Sequence, residues 1–227
     1  MTDSTAPSSA HTWTPASWTG ATGTPTRLLL VRHGQTEFSV HRRYSGRGDP
    51  RLTEVGRRQA AAVARRLGAR NDVVAVVTSP LSRAKDTAIA VGQATGAAVT
   101  EWPDLIETDF GRWEGLTFGE AAERDPELHR SWLSDHTVAT PDGESFAQVH
   151  SRVAGVQERA LAEFPGQTVV VVSHVTPIKT LLRIGLDAGP SLLFRLHLDL
   201  ASLSVVEFYP DGNASVRLVN DTAHLSE

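Results

Sequence analysis

Two short runs, Leu28-Leu29-Leu30-Val31 and Val169-Val170-Val171-Val172, are apolar at every position. Successive side chains of a strand point to opposite faces, so a strand that is apolar throughout must be covered on both. A chain carrying two such strands needs a sheet with a layer packed above it and another below. The intervening segments fit that demand. Leu52, Val55, Gln59, Val63 and Leu67 recur at three- and four-residue spacing, predicting a helix that Thr53 can cap. Val73–Thr78 reads as a second strand, residues 81–94 as a helix and Ala98–Glu101 as a short strand. Residues 105–142 are loop-rich with short helices, one of them started by Asp125 as cap and Pro126 in the first turn. Phe146, Val149, Val153, Val156, Ala160 and Phe164 then share one face of a long helix. Another helix, started by Thr176-Pro177, runs through Leu186, and residues 202–209 and 215–219 read as a hairpin or consecutive edge strands. Strands alternating with helices predict the α/β class: a three-layer α/β/α sandwich around a mostly parallel central sheet.

Each apolar strand runs straight into polar residues: Arg32-His33-Gly34 after the first, residues 79–83 after the second, Ser173-His174 after the run of valines. In open sheets of this class ligands sit beyond the carboxyl ends of the strands, so the three clusters belong to one candidate site. Charge is costly to bury unless it is compensated, which points to an anion there. Arg32 offers a planar fork of donors suited to phosphate or carboxylate oxygens. Gly34 removes a side chain that would keep a ligand from the backbone. Arg83 sits one helical turn past a strand end, where unpaired N–H groups already attract anions; on its own it reads equally well as a surface partner of Asp86. His33 and His174, each ordinary as a lone structural histidine, become an anion cradle when taken with the two arginines. A neutral imidazole beside such an anion can attack phosphorus.

A proton for the departing oxygen points to Glu107, which follows Leu105-Ile106 and is held against the core. Asp109 and Glu114 compete with it, and all three also read as solvated loop acids. Arg42, Arg43, Arg47 and Arg51 form a basic stretch, ordinarily a solvated face; Arg43 with Tyr44 is expected to line the entrance and touch substrate.

Composition narrows the chemistry. The 227 residues carry a net charge of −4, with 40% hydrophobic and 21% charged residues, as in one globular domain rather than a nucleic-acid or membrane-surface binder. No cysteine is present, which removes every thiolate mechanism. No apolar run is long enough to span a bilayer, no basic-then-apolar leader is seen, and cytoplasmic residence is the expectation. There is no Asp-x-Asp pair, Gly-x-Ser-x-Gly elbow or Walker loop. Residues 1–26, rich in Thr, Ser, Ala, Pro and Gly, read as a flexible tail or linker, with Trp13 and Trp18 incidental or docked on the domain surface.

The motifs Arg32-His33-Gly34-Gln35-Thr36, Leu52-Thr53-Glu54-Val55-Gly56, SPLSRAKDTA, LIETDFGRWEG, PDGES and VVSH occur in this order. Together they resemble the histidine phosphatase superfamily, of phosphoglycerate-mutase-like fold, over residues 27–227. The resemblance implies that His33 takes a phosphoryl group, that Arg32, Arg83 and His174 complete the phosphate pocket, and that Glu107 donates the proton and later activates water. It implies no metal and no other cofactor. Two positions depart from the family: Ser39 stands where Asn is common and is expected to hydrogen-bond the phosphate, and Val175 stands where Gly usually follows the second histidine. HVTPIKTLL and RLHLDLASLSVVEFYPDG resemble more finely the acid phosphatase half of actinobacterial ribonuclease H fusions, related to α-ribazole phosphatases of cobalamin assembly. That likeness implies a fused or partner domain ahead of the tail and a small phosphorylated metabolite as substrate. Mutase-type phosphoryl transfer, or phosphate binding without turnover, are the alternatives.

Overall fold

A computed structural model of the chain describes residues 20–226; Trp13 and Trp18 lie outside them. Six strands form one sheet in the order β3-β2-β4-β1-β5-β6: β1 (Thr26–Arg32), β2 (Val73–Thr78), β3 (Ala98–Glu101), β4 (Thr168–Ser173), β5 (Leu203–Phe208) and β6 (Ala214–Asp221). β1 pairs parallel with β4, β4 with β2 and β2 with β3, while β5 and β6 add antiparallel on the far side of β1. The helices are α1 (Glu37–Val40), α2 (Glu54–Gly68), α3 (Ser82–Thr95), α4 (Phe118–Arg124), α5 (Pro126–Trp132), α6 (Phe146–Glu163), α7 (Val175–Gly185) and α8 (Leu192–Arg195).

Period-two alternation divides the apolar strands between two cores, as their sequence demands. Leu28, Leu30, Val169 and Val171 pack against Val149, Val153, Ile178 and Leu181 of α6 and α7. Leu29, Val31, Val170 and Val172 pack against Val63, Leu67, Ala84 and Ala88 of α2 and α3. The sandwich is complete. A third, aromatic cluster of Tyr44, Phe110, Trp113, Trp132 and Phe146 builds the wall that faces the carboxyl ends of the strands.

Several local expectations are corrected. Thr26, assigned to the tail, is the first residue of β1; its hydroxyl donates to Phe164 O and accepts from Gly166 N–H, closing the turn before β4. α2 begins at Glu54, with Thr53 capping Gly56 N–H as expected. Its inward face is Gly56, Ala60, Val63 and Leu67, leaving Val55 38% exposed. Leu52 lies before that helix and bridges to Thr36. Asp125 precedes α5, but its carboxylate accepts the Trp113 indole N–H at 2.7 Å rather than capping the helix. α7 starts at Val175 with His174 as its cap residue, so Pro177 falls inside the first turn. Of the two hairpin strands only β6 is an edge, because β5 is held by β1.

Gly34 has a task beyond the one its sequence suggests. A Cβ there would run into the Gly56 carbonyl, and one on Gly56 into that of Gln35. The loop after β1 is thus seated backbone-to-backbone on the first turn of α2, where Gln35 O also accepts from Thr53 N–H at 2.9 Å. Gly34→Ala is expected to lower stability by about 1–3 kcal/mol, the usual cost of overpacking. A thermal melt that does not shift would contradict this seating.

Candidate active site

Three strand ends meet because β1, β4 and β2 are neighbours. Arg32 is in register with Ser173, and Thr78 with Val172. The backbone continues the pairing one residue further: His33 N–H donates to Ser173 O at 3.0 Å and Ser79 N–H to Val172 O at 3.1 Å. The imidazoles of His33 and His174 consequently stand with ring centroids 5.0 Å apart, tilted by 59°. Both rings are buried.

Hydrogen bonds assign the nitrogen atoms. His33 Nδ1 lies 2.7 Å from the Gly34 carbonyl, which can only accept, so Nδ1 carries the proton and Nε2 the lone pair. His174 Nε2 lies 2.7 Å from Ser79 Oγ, whereas its Nδ1 is buried without a partner. Arg32 Nη1 donates to Leu198 O at 2.6 Å, leaving Nε buried and unpartnered. Arg83 is fully buried rather than a surface residue, and its Nη atoms donate to the carbonyls of Ser45, Gly46 and Gly48. Its Nε too lacks a partner. Buried polar groups are nearly always satisfied, so two orphan guanidinium N–H donors and an orphan imidazole nitrogen mark these strand ends as a candidate oxyanion site.

Burial drives the pKa of both histidines well below the ordinary 6.5, and the neighbouring Arg83 and Arg32 push the same way. Burial likewise lowers the Arg32 guanidinium to about 10. The imidazoles are therefore neutral, as a nucleophile must be. The sign for stability follows. The unfolded rings take up protons near pH 6.5 and the buried ones only at lower pH, so acidification favours the unfolded chain. Tm is expected to fall by several degrees between pH 6.5 and about pH 5, before carboxylates titrate. A flat Tm over that window would show that the rings are not held neutral.

Glu107 is buried and lines the cavity in front of His33. Its Oε1 accepts from the N–H of Thr108 at 2.8 Å, and both oxygens face the N–H of Thr176 at the start of α7. The loop behind it is clamped by Arg152 of α6, which donates to the carbonyls of Asp104, Ile106 and Glu107 and pairs with Glu144. The competing acids are occupied elsewhere. Glu114 accepts from Gly46 and Gly48 N–H, and burial raises its pKa, but it does not line the cavity. Asp109 caps Gly111 N–H and faces Arg47.

The cavity encloses about 620 Å³ and is lined by Arg32, His33 and Glu107 at its inner end, with Ser39, Arg43 and Tyr44 among its walls. Arg83 and His174 stand behind that surface. The expected phosphate contact of Ser39 is complicated by its role in a capping box: its Oγ donates to Thr36 O at 2.7 Å and accepts from Thr36 N–H. Tyr44, expected at the entrance, is buried in the aromatic cluster, its hydroxyl 2.8 Å from His129 Nε2. Arg43 is on the wall but spends Nη1 on Gly115 O and Glu120. Ser79 stands in the polar cluster expected at the end of β2; sequence reasoning missed Thr176 as a site residue, and missed Arg152, which nothing in its local pattern singles out. Among the described residues no group of three or more His, Cys, Asp or Glu gathers to hold a metal ion.

Comparisons with known proteins agree on one family. The model of the histidine phosphatase superfamily (branch 1) matches residues 28–222. A Mycobacterium tuberculosis protein named bifunctional is 61% identical over 212 residues, 93% of this chain, and the chain spans only 58% of that relative's length. Phosphoserine phosphatase 1 of Hydrogenobacter thermophilus is 36% identical over 202 residues, covering 88% of this chain and 95% of its own. The solved mycobacterial glucosyl-3-phosphoglycerate phosphatase, complexed with VO3, superposes with a TM-score of 0.79 at 32% identity, covering 87% of this chain and all of its own.

Proposed function

We propose that this chain, which belongs to the histidine phosphatase superfamily, hydrolyses small phosphomonoesters through a phosphohistidine on His33. The single observation that carries the reading is the pair of imidazole rings 5.0 Å apart, with His174 Nδ1 and the Nε donors of Arg32 and Arg83 buried and unpartnered. The His33 Nε2 lone pair attacks phosphorus as the ester P–O bond breaks. The departing oxygen takes its electron pair and receives a proton from Glu107. Arg32 Nε, Arg83 Nε and His174 Nδ1 hold the phosphoryl oxygens as their charge shifts. Water, losing a proton to the Glu107 carboxylate, then attacks phosphorus; the N–P bond breaks and inorganic phosphate leaves.

Neutral histidines support activity on the acid side of neutrality, so acid phosphatase is the finer reading. α-Ribazole phosphate belongs with phosphoserine and phosphorylated glycerates in the first substrate panel. Release of inorganic phosphate, with acid-labile, base-stable labelling of the enzyme by rapid quench, tests the mechanism. Interconversion of phosphoglycerates with no release of phosphate would favour the mutase alternative; binding with neither would favour the non-catalytic one. Among the described residues no helix is long and apolar enough to cross a membrane. A second domain joined ahead of residue 27, ribonuclease H in the finer resemblance, is part of the same proposal and is supported by the length of the bifunctional relative.

A further inference from the structure

The cavity is far larger than a phosphate, and most of its wall serves no phosphate chemistry. Outward from His33 the lining is Phe110, Phe118, Trp132, Phe146, Leu193 and Phe194. The rings brace one another, Trp132 against Phe146 at 4.7 Å and Phe146 against Phe194 at 5.6 Å, so the wall is preformed. At its mouth Phe118 is 56%, Leu133 48% and Phe194 37% exposed. Aromatic and aliphatic faces lining one concavity and turned to water are what an apolar ligand covers.

The charges tell the same story by where they sit. Among the described residues Glu107 is the one acidic side chain on the lining, and the proposed mechanism needs it beside the phosphate. A ligand ammonium further out would meet no counter-ion, a costly arrangement. Of the cations on the wall, Arg43 is bound to Gly115 O and Glu120. Lys179 donates to Leu193 O at 2.7 Å; burial lowers its pKa, and Glu107 acts in the opposite sense. His129 is tied to Tyr44, and burial lowers its pKa, so it too is neutral. An outer ammonium would be stripped of water with no carboxylate to receive it, whereas Ser45 Oγ and Trp132 Nε1, buried on this lining without partners, can meet a neutral polar group of the ligand.

We infer that the leaving group is an uncharged alcohol with an aromatic or otherwise flat apolar body, packed between the Phe110–Trp132–Phe146 wall and the Phe118 and Phe194 rim. The inference rests on the phosphatase reading above and goes beyond it to the substrate class. An amino acid phosphate such as phosphoserine is disfavoured by the same wall.

Esters of primary alcohols test this without differences in leaving-group acidity: naphthylethyl phosphate, ethyl phosphate and phosphoserine, with phosphate release as readout. Naphthylethyl phosphate is expected to exceed both others in kcat/KM by about tenfold or more, from apolar area buried against the rings. The rim variant Phe118→Ser with Phe194→Ser, at exposed positions where folding is not at stake, is expected to pull that ratio back toward one. A wild-type enzyme that hydrolyses all three equally, or prefers phosphoserine, overturns the substrate class and leaves the phosphatase reading standing. A preference untouched by the rim variant removes the assignment to this wall. Release of phosphate from none of them overturns the phosphatase reading itself.

Discussion

Replacing His33 with alanine is expected to leave no more than about one-thousandth of kcat on any phosphomonoester, because the proposed mechanism loses its attacking atom. The assignment separates two histidines that sequence alone treats alike. His33 lines the cavity, and its Nδ1 proton is pinned on Gly34 O, which presents the Nε2 lone pair. His174 is fully buried behind it, with Nε2 engaged by Ser79. The two variants should therefore fail differently. His33→Ala cannot be labelled by a phosphorylated substrate in a rapid quench, whereas His174→Ala still acquires the label, more slowly, because only a stabilising donor has been lost. Residual steady-state turnover of His33→Ala within tenfold of wild type would falsify the phosphohistidine mechanism.

Glu107→Gln is the second large effect, and its size depends on the substrate. The amide can still accept from Thr108 N–H, so the loop clamped by Arg152 keeps its place. What disappears is the transferable proton. For an alkyl ester, whose leaving oxygen must be protonated, kcat is expected to drop by about 10²–10⁴. For p-nitrophenyl phosphate the first step needs no proton, so it survives, while attack of water on phosphohistidine has lost its base. A burst of one nitrophenolate per enzyme followed by slow turnover is the expected trace. Equal losses on both substrates, without a burst, would assign the acid–base role to another group. Glu114 and Asp109 are poor substitutes because their carboxylates are committed to loop N–H groups away from the cavity.

Much of this was legible before any coordinates. β1 and β4 announce themselves because their runs at residues 28–31 and 169–172 are apolar at every position, and the polar residues after them lie where an open sheet binds ligands. The errors have physical causes. Val55 and Gln59 fit a helical period from Leu52, but the close approach of Gly34 and Gly56 fixes which side of α2 turns inward. Gly34 has a requirement that its local sequence does not show, the backbone contact with Gly56. Asp125 has the chemistry of a cap, yet an indole N–H 12 residues earlier in the chain competes successfully for its carboxylate. Residues 105–142 are loop-rich with short helices, as expected, but aromatic side chains that pack on one another obey neither strand nor helix periodicity, so the wall of the cavity they form was not legible.

What the chain determines by itself is which segments must be covered on two faces and which side chains wait at their ends. Local apolarity and residue chemistry suffice for that. Which of those ends become neighbours is a matter of strand order: β4 lies between β1 and β2, and this alone brings His33, Ser79 and His174 together across 141 residues. The tautomer of His33, the burial of Arg83 and the placing of Glu107, but not Asp109 or Glu114, on the cavity lining were decided there too. Each depends on a carbonyl, an N–H or a solvent boundary supplied by a distant segment, and no local pattern encodes such a partner.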